Sequence, residues 1–409
     1  MIQQKKLFIH SIFFLGLFFI PSILNAIFKT ESIGTYIVLS AIVGVMFSII
    51  YGEKIKSDYS YIILSTSIFL WSMLTQITSP YGFSEDRFIL AFFGLSVFIY
   101  FSFIIAESFV GLHENYISLL VRKVFLGMII VSVISLTLSK SSLRVLELNY
   151  FPFSEPAHLA RLYGVFLCLN MVINNSLKRK VILLIITLIF SVLFPSLSLL
   201  IYNFLALLLL MFVGKGSKLI TRVPLFFTAA ACTAVILYIL GDRDYFLARI
   251  TFIENTDNLT ALVFWQGVEA TKNILSETKY LGIGLHQLGN EPGNDVTSII
   301  AGIRGIGDVA DFDLNRRDGG FVAAKLISEF GIFGLAGILS YIKIAANCLR
   351  KLKLKMHTTH ANIAMTVIVA VAPEILLRGG GYFSVSLLLM LASIRYLTKS
   401  SKSNVLSNY

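Results

Sequence analysis

The sequence predicts an all-α polytopic membrane protein of about 12 transmembrane helices with one large extracytoplasmic loop. Three observations carry the prediction. Of 409 residues, 56% are hydrophobic and 14% charged, and the mean hydropathy is +0.81, far more apolar than a soluble domain of this length. Apolar windows of roughly twenty residues, the length of a span, recur along the chain. Lysine and arginine collect in alternate connections, as they do on the side of a membrane that is not translocated.

The windows lie at 7 to 28, 33 to 51, 59 to 78, 88 to 106, 117 to 138, 157 to 174, 181 to 195, 197 to 213, 223 to 241, 320 to 346, 361 to 377 and 380 to 397. The first follows Lys5 and Lys6, as a signal peptide would, but no small-residue cleavage site comes after it, so it reads as a retained span. The seventh and eighth are separated only by the short turn around Pro195 in "LFPSLSLL", and one long kinked span is the alternative. Residues 1 to 241 therefore hold spans one to nine, 242 to 319 the large loop, and 320 to 409 spans ten to twelve with a cytoplasmic tail.

Basic residues at Lys5 and Lys6, Lys54 and Lys56, "KRK" (178 to 180), Lys215 to Arg222, "RKLKLK" (350 to 355) and Lys399 with Lys402 make both termini cytoplasmic. The connection "ESFVGLHENY" (107 to 116) falls on the same side although its charges are acidic. The net charge of +11 reports this topology and not a nucleic-acid partner, because the long loop holds seven basic against twelve acidic residues. Cys168, Cys232 and Cys348 fall in apolar spans without metal or disulfide spacing and read as small buried hydrophobes.

A loop of nearly eighty residues is either functional or disordered, and "NLTALVFWQGVEATKNIL" (258 to 275) argues against disorder. Its Leu262, Trp265, Gln266, Glu269, Lys272 and Asn273 divide a helix into an apolar and a polar side, as in an interfacial amphipathic helix lying on the membrane surface. "YLGIGLHQLGNEPGND" (280 to 295) then breaks regular structure at Gly282, Gly284, Gly289 and Gly293, either as plain turns or to shape a site around His286. In "DVADFDLNRRD" (308 to 318), Asp311 and Asp313 have a spacing that two carboxylates on a divalent cation would use, but the reading here is a solvated loop with no metal and no cofactor.

Three more clusters sit at the extracytoplasmic ends of spans. In "FPFSEPAHLARLYG" (151 to 164), Pro156 suits a first helical turn, placing Glu155, His158 and Arg161 near a helix start that favours anions. "PEILLRGGGYF" (373 to 383) places Glu374 and Arg378 at the junction of the last two spans, where charges mark a function or an internal pair. In "DGGFVAAKLISEFGIFGLAG" (318 to 337), steps of seven and eleven residues stack Asp318, Lys325 and Glu329 on one helix face. Lys325 and Glu329 pair at i, i+4, the three line a cavity, and Gly331, Gly334 and Gly337 permit close helix packing deeper down. Arginines at 161, 249, 304, 316, 317 and 378 thus share a side with histidines and carboxylates, a set suited to phosphate-linked chemistry.

These segments, in this order and placement, resemble the bacterial O-antigen and capsular polysaccharide polymerases (the Wzy type) of the O-antigen polymerase and ligase superfamily. The resemblance covers nearly the whole chain as topology and rests on "FSEPAHLARL", "NLTALVFWQGVEA" running into "LGIGLHQLG", "RDGGFVAAKLISEFGIFGL" and "RGGGYF". It implies a GT-C-like, metal-independent glycosyltransferase of the bacterial inner membrane that joins undecaprenyl-diphosphate-linked oligosaccharide repeat units. Membrane lipids surround it, and a chain-length regulator and a flippase of the same pathway are its implied partners. On this resemblance Glu155, His158 and His286 are base candidates. Arg161 and Arg378 are diphosphate or lipid-sugar contacts, and Arg249, Arg304, Arg316 and Arg317 are loop contacts to glycan or diphosphate. Related ligases often carry a His-Asn pair where this chain has Asp318, Gly319 and Gly320, so their histidine has no counterpart there. A ligase and a lipid-linked oligosaccharide flippase remain the alternatives; a flippase would place its charges at mid-membrane between pseudo-symmetric halves, and no internal repeat is present.

Overall fold

Every regular element among the described residues is helical. The computed structural model describes residues 33 to 50, 59 to 140, 156 to 213 apart from 175, 194 and 195, 259 to 304, 316 to 354 and 358 to 406, with short stretches between 16 and 28. The expected first span for the most part, the ninth at 223 to 241 and Cys232 lie outside the described residues.

The helices are α1 (Ile33–Ile50), α2 (Tyr59–Thr78), α3 (Glu85–Gly111), α4 (Glu114–Lys140), α5 (Pro156–Ile173), α6 (Leu177–Leu193) and α7 (Leu197–Val213). After them come α8 (Leu259–Glu277), α9 (Asp295–Arg304), α10 (Val322–Leu354), α11 (Thr359–Ala370), the short α12 (Ala372–Leu376) and α13 (Val385–Leu406). Five stretches, Tyr59–Thr78, Glu85–Gly111, Glu114–Ile134, Val322–Lys353 and Thr359–Leu376, are long and apolar enough to cross a membrane, and α1, α5 and α7 contain shorter apolar helices. α6 and α7 are two helices that pack side by side and not one kinked span.

α5 is buried continuously from Leu159 to Met171 and α11 from Ile363 to Ala370. A helix apolar on all sides belongs in the middle of a bundle, and these two are its axis. α7 comes closest to α5 because Gly164 has no side chain: a Cβ there would lie 2.0 Å from the Tyr202 ring. The outer helices turn large apolar side chains outward, among them Ile62, Ile63, Leu90 and Ile130. Such surfaces suit hydrocarbon and not water.

The bundle has two polar ends. At one, the acidic connection after α3 is neutralised: Glu107 is bonded to Lys399, Glu114 accepts a 2.7 Å hydrogen bond from the Thr359 hydroxyl, and His360 Nε2 lies 2.7 Å from the Leu112 carbonyl. Residues 107 to 116 therefore share an end with α11's start and α13's basic tail, which accounts for acids in a connection that the charge count assigned to the basic side. The other end carries α8, α9 and the turns at 278 to 294, 316 to 321 and 377 to 384.

Two expectations are corrected there. The tenth span does not run unbroken from 320 to 346: Gly331, at φ 56° and ψ −130°, splits α10 into a short arm, 322 to 330, and a long helix. The break leaves backbone groups without helical partners, and the loop supplies them. Ile283 and Gly284 donate to the Ser328 and Glu329 carbonyls at 3.0 and 2.9 Å, and Tyr280 O accepts from Ile332 N–H at 2.9 Å. Irregular backbone is tolerated at membrane depth only when buried against protein in this way. Gly334 allows the long helix to fold back beside the arm, since a Cβ on it would lie 2.1 Å from Leu326 O.

α8 also departs from expectation. It packs on α10's arm and on α9 and is not laid on the membrane surface through its apolar side alone. Gln266, assigned to its polar side, is buried and donates to Thr297 Oγ1 at 3.0 Å. Thr271 meets Ser328 at 2.9 Å, Phe264 stacks on Phe321 at 4.8 Å, and Gly267 lets the Gly319 carbonyl approach. Lys272 and Asn273 remain exposed, as the pattern requires.

Candidate functional site

The site forms where four segments that are far apart in sequence meet at this end of the bundle. Its centre is the glycine turn after α12. Gly379 faces Val322, where a Cβ would lie 2.7 Å from Val322 Cγ2; Gly380 faces Arg161, 2.5 Å from Nη1; and Gly381, at φ 78°, faces Asp318, 2.8 Å from Oδ1. Any side chain at these three positions would push away α10's arm, the arginine of α5 or the 316 to 320 turn. Three successive glycines thus bring together the starts of α5 and α10 and the end of the α8 to α10 connection.

Lys325 lies in the middle of this assembly and is fully buried. Its Nζ lies 3.7 Å from Glu329 Oε1 and 3.8 Å from Asp318 Oδ1, it donates to the Arg317 carbonyl, and it sits 5.3 Å from the centre of the Tyr382 ring. Glu329, equally buried, accepts from the Tyr382 hydroxyl at 2.8 Å. The i, i+4 pair read from the sequence is present. Lys325 and Glu329 do not line an open cavity, however; the 280 to 291 loop and Tyr382 enclose them.

His286 occupies a left-handed backbone position, φ 60°, which costs a non-glycine residue free energy and is commonly stored at functional sites. Its Nδ1 is buried without a hydrogen-bond partner. Burial, then the positive charges of Lys325, Arg87 and Arg317, hold the imidazole down to about 3 from its usual 6.5, so it is neutral at physiological pH. Cations gathered around a neutral imidazole are an arrangement that accepts an anion.

Arg87, in the first turn of α3, was not singled out in the sequence, where it reads as an ordinary charge at a helix end. Its guanidinium donates to Asn290 Oδ1 and the Leu288 carbonyl at 2.8 and 2.7 Å. Gln287 completes this clamp by accepting from Ser84 N–H at 2.8 Å and donating back to Ser84 O at 3.1 Å, covering the start of α3 in place of a capping side chain. Nothing local to residues 84 to 87 signals partners some two hundred positions away.

Of the remaining expected site residues, Arg316 fastens the loop: its guanidinium donates to the Gly289 and Glu291 carbonyls and lies 4.0 Å from Glu291 Oε1, and it lines a small pocket with Gln266, Asn294 and Thr297. Burial raises the Glu291 carboxyl, against the opposing effects of the Gly289 N–H and Arg316. Arg317 is exposed beside Gly289, and Arg378 is half-buried on the glycine turn. Arg161 is 9% exposed, and its Nε is buried without a hydrogen-bond partner.

Pro156 opens α5 as expected, with His158 in its first turn and Arg304 ending α9, but the side chains of His158 and Arg304 lie outside the described residues. So do Glu155, Arg249, Asp311 and Asp313 altogether. Among the described residues, no group of three or more His, Cys, Asp or Glu is placed to hold a metal ion. Cys168 and Cys348 are buried and unbonded. Comparison with protein-family models, with curated proteins and with solved structures finds no match to this chain.

Proposed function

We propose that this chain is a polysaccharide polymerase of the bacterial inner membrane, joining undecaprenyl-diphosphate-linked oligosaccharide repeat units at its outer face in O-antigen or capsule synthesis. The observation that carries the reading is that, at one end of an apolar helix bundle, the 379 to 381 glycine turn meets Arg161, a buried arginine with an unpartnered Nε, and Asp318, while Lys325, Arg87 and Arg317 surround His286. A lipid diphosphate leaving group develops negative charge that fixed cations stabilise, and its lipid needs the apolar flank that the outer helices offer. Arg161 and Arg378 take the diphosphate, and Arg317 faces the glycan from the exposed rim. The neutral His286 donates or accepts a hydrogen bond at the reacting sugar.

A strain lacking the chain is expected to make core carrying a single repeat unit. Bare core with lipid-linked polymer accumulating would assign a ligase, and single units trapped inside a flippase. The reading also requires that 278 to 320 face away from the cytoplasm. Cysteine at the exposed position 298, Ser298→Cys in a background without native cysteines, should react with an impermeant maleimide in intact spheroplasts. Labelling only after lysis would overturn it.

A further inference from the structure

Glu374, in α12, is fully buried, and neither of its carboxylate oxygens has a hydrogen-bond partner. A buried carboxylate left in this state is disfavoured unless a bound group or water completes it or it takes up a proton. Two more incomplete groups lie with it. The Tyr202 hydroxyl of α7 is buried without a partner, and Tyr202 feels the charges of both Glu374 and Arg161. Arg161 contributes its unpartnered Nε.

A cluster with a purely structural role would pair the arginine with the glutamate, yet among the described residues no ion pair joins them. Both act on Tyr202 and both touch the same glycine turn, and the arginine's Nε and both glutamate oxygens are left without a partner. Their complement is a ligand bearing both an anionic oxygen and a hydroxyl, which is the chemistry of sugars carried on phosphate. Gly379 and Gly380 pack tightly against the Glu374 carbonyl and the Arg161 guanidinium, where a Cβ would lie 2.9 and 2.5 Å away, so this turn holds the two residues' segments together.

Among the described residues, the other acid and base groups nearby are engaged. Glu329 is held by Lys325 and Tyr382, and Asp318 faces Lys325. His286 is too weak a base in its cationic surroundings to be the main proton acceptor.

From this geometry, and resting on the polymerase reading above, we propose that Glu374 is the catalytic base that takes the proton of the acceptor sugar's hydroxyl while Arg161 holds the donor's diphosphate. The hydroxyl oxygen bonds to the donor's anomeric carbon, and the bond from that carbon to the phosphate oxygen breaks. Its electron pair leaves on the lipid diphosphate, and the hydroxyl proton passes to the Glu374 carboxylate. No oxidant, reductant or further reactant is needed.

The test uses the purified full-length chain and lipid-linked oligosaccharide extracted from cells lacking it. Glu374→Gln is expected to lower kcat about 10²- to 10⁴-fold, the usual span for a general base. The donor KM should stay within about threefold of wild type, and thermal stability in detergent should be unchanged or higher. Glu374→Asp, which keeps the carboxylate, should retain more turnover than the Gln variant. A Gln variant turning over at the wild-type rate would overturn the proposal, as would a loss confined to KM. Unfolding of both variants would assign Glu374 to structure and overturn it equally. If the wild-type chain makes no polymer from this substrate, the polymerase reading falls and this proposal with it; active wild type beside an active Gln variant removes this proposal alone.

Discussion

Lys325→Met is expected to destabilise the protein by about 3–5 kcal/mol, the cost of removing one partner from a buried ion pair. Lys325 and Glu329 are both fully buried, and Glu329 Oε1 has no hydrogen bond, so this oxygen depends on the lysine's charge 3.7 Å away. Without it the carboxylate keeps only the Tyr382 hydroxyl, on its other oxygen. The double variant Lys325→Met with Glu329→Gln should recover most of the loss, because a neutral amide removes the uncompensated charge. Equilibrium unfolding in detergent of wild type, both single variants and the double variant measures the coupling. Equal instability of the Lys325→Met and double variants would show that lysine's packing, and not its charge, is what the fold requires. Under the proposed function the double variant regains stability without regaining polymerisation, since the cation beside His286 is gone.

Gly331→Ala is expected to abolish the folded state or to leave a trace of it. The backbone there, φ 56° and ψ −130°, is nearly confined to glycine and strains any other residue by about 1–3 kcal/mol. Space adds to this. A Cβ would lie 2.0 Å from Tyr280 O and 2.5 Å from Leu281 C, both backbone atoms that cannot turn aside, and overpacking of that kind costs roughly 1–3 kcal/mol more. The loop that satisfies the broken helix would have to leave, exposing the Ser328 and Glu329 carbonyls again. Gly337→Ala is the control: its nearest neighbour would be Leu326 Cδ2 at 3.5 Å, an ordinary contact. The yield of monodisperse detergent-purified protein separates the two. A Gly331→Ala protein as abundant and as stable as the Gly337→Ala protein would mean that the break is not required.

Glycine spacing shows how far the sequence reads and where it stops. Gly331, Gly334 and Gly337 at three-residue steps announce close approach, and Gly334 does make one, against Leu326. Glycine at 331 permits a helix end, but Gly334 and Gly337 carry the same local signal; that the break falls at 331 is decided by the backbone donors from 283 and 284 that satisfy it.

The sequence by itself indicated the helical, apolar character of the described residues, the proline-led start of α5 and the Lys325–Glu329 pair. Each follows from apolar content or from the 3.6-residue period, properties of neighbouring residues. It also marked most of the segments that meet at the site, through charges set at span ends beside glycines. Only the tertiary structure decided which of those charges are spent on the protein. Arg316 and Arg87 are consumed by loop carbonyls and an amide, while Arg161 and Glu374, each next to a segment of like composition, stay incomplete. The physical reason is that a charge's partners are set by which backbone atoms packing brings within about 3 Å, the reach of a hydrogen bond, and those atoms come from residues as far apart as Arg87 and Asn290.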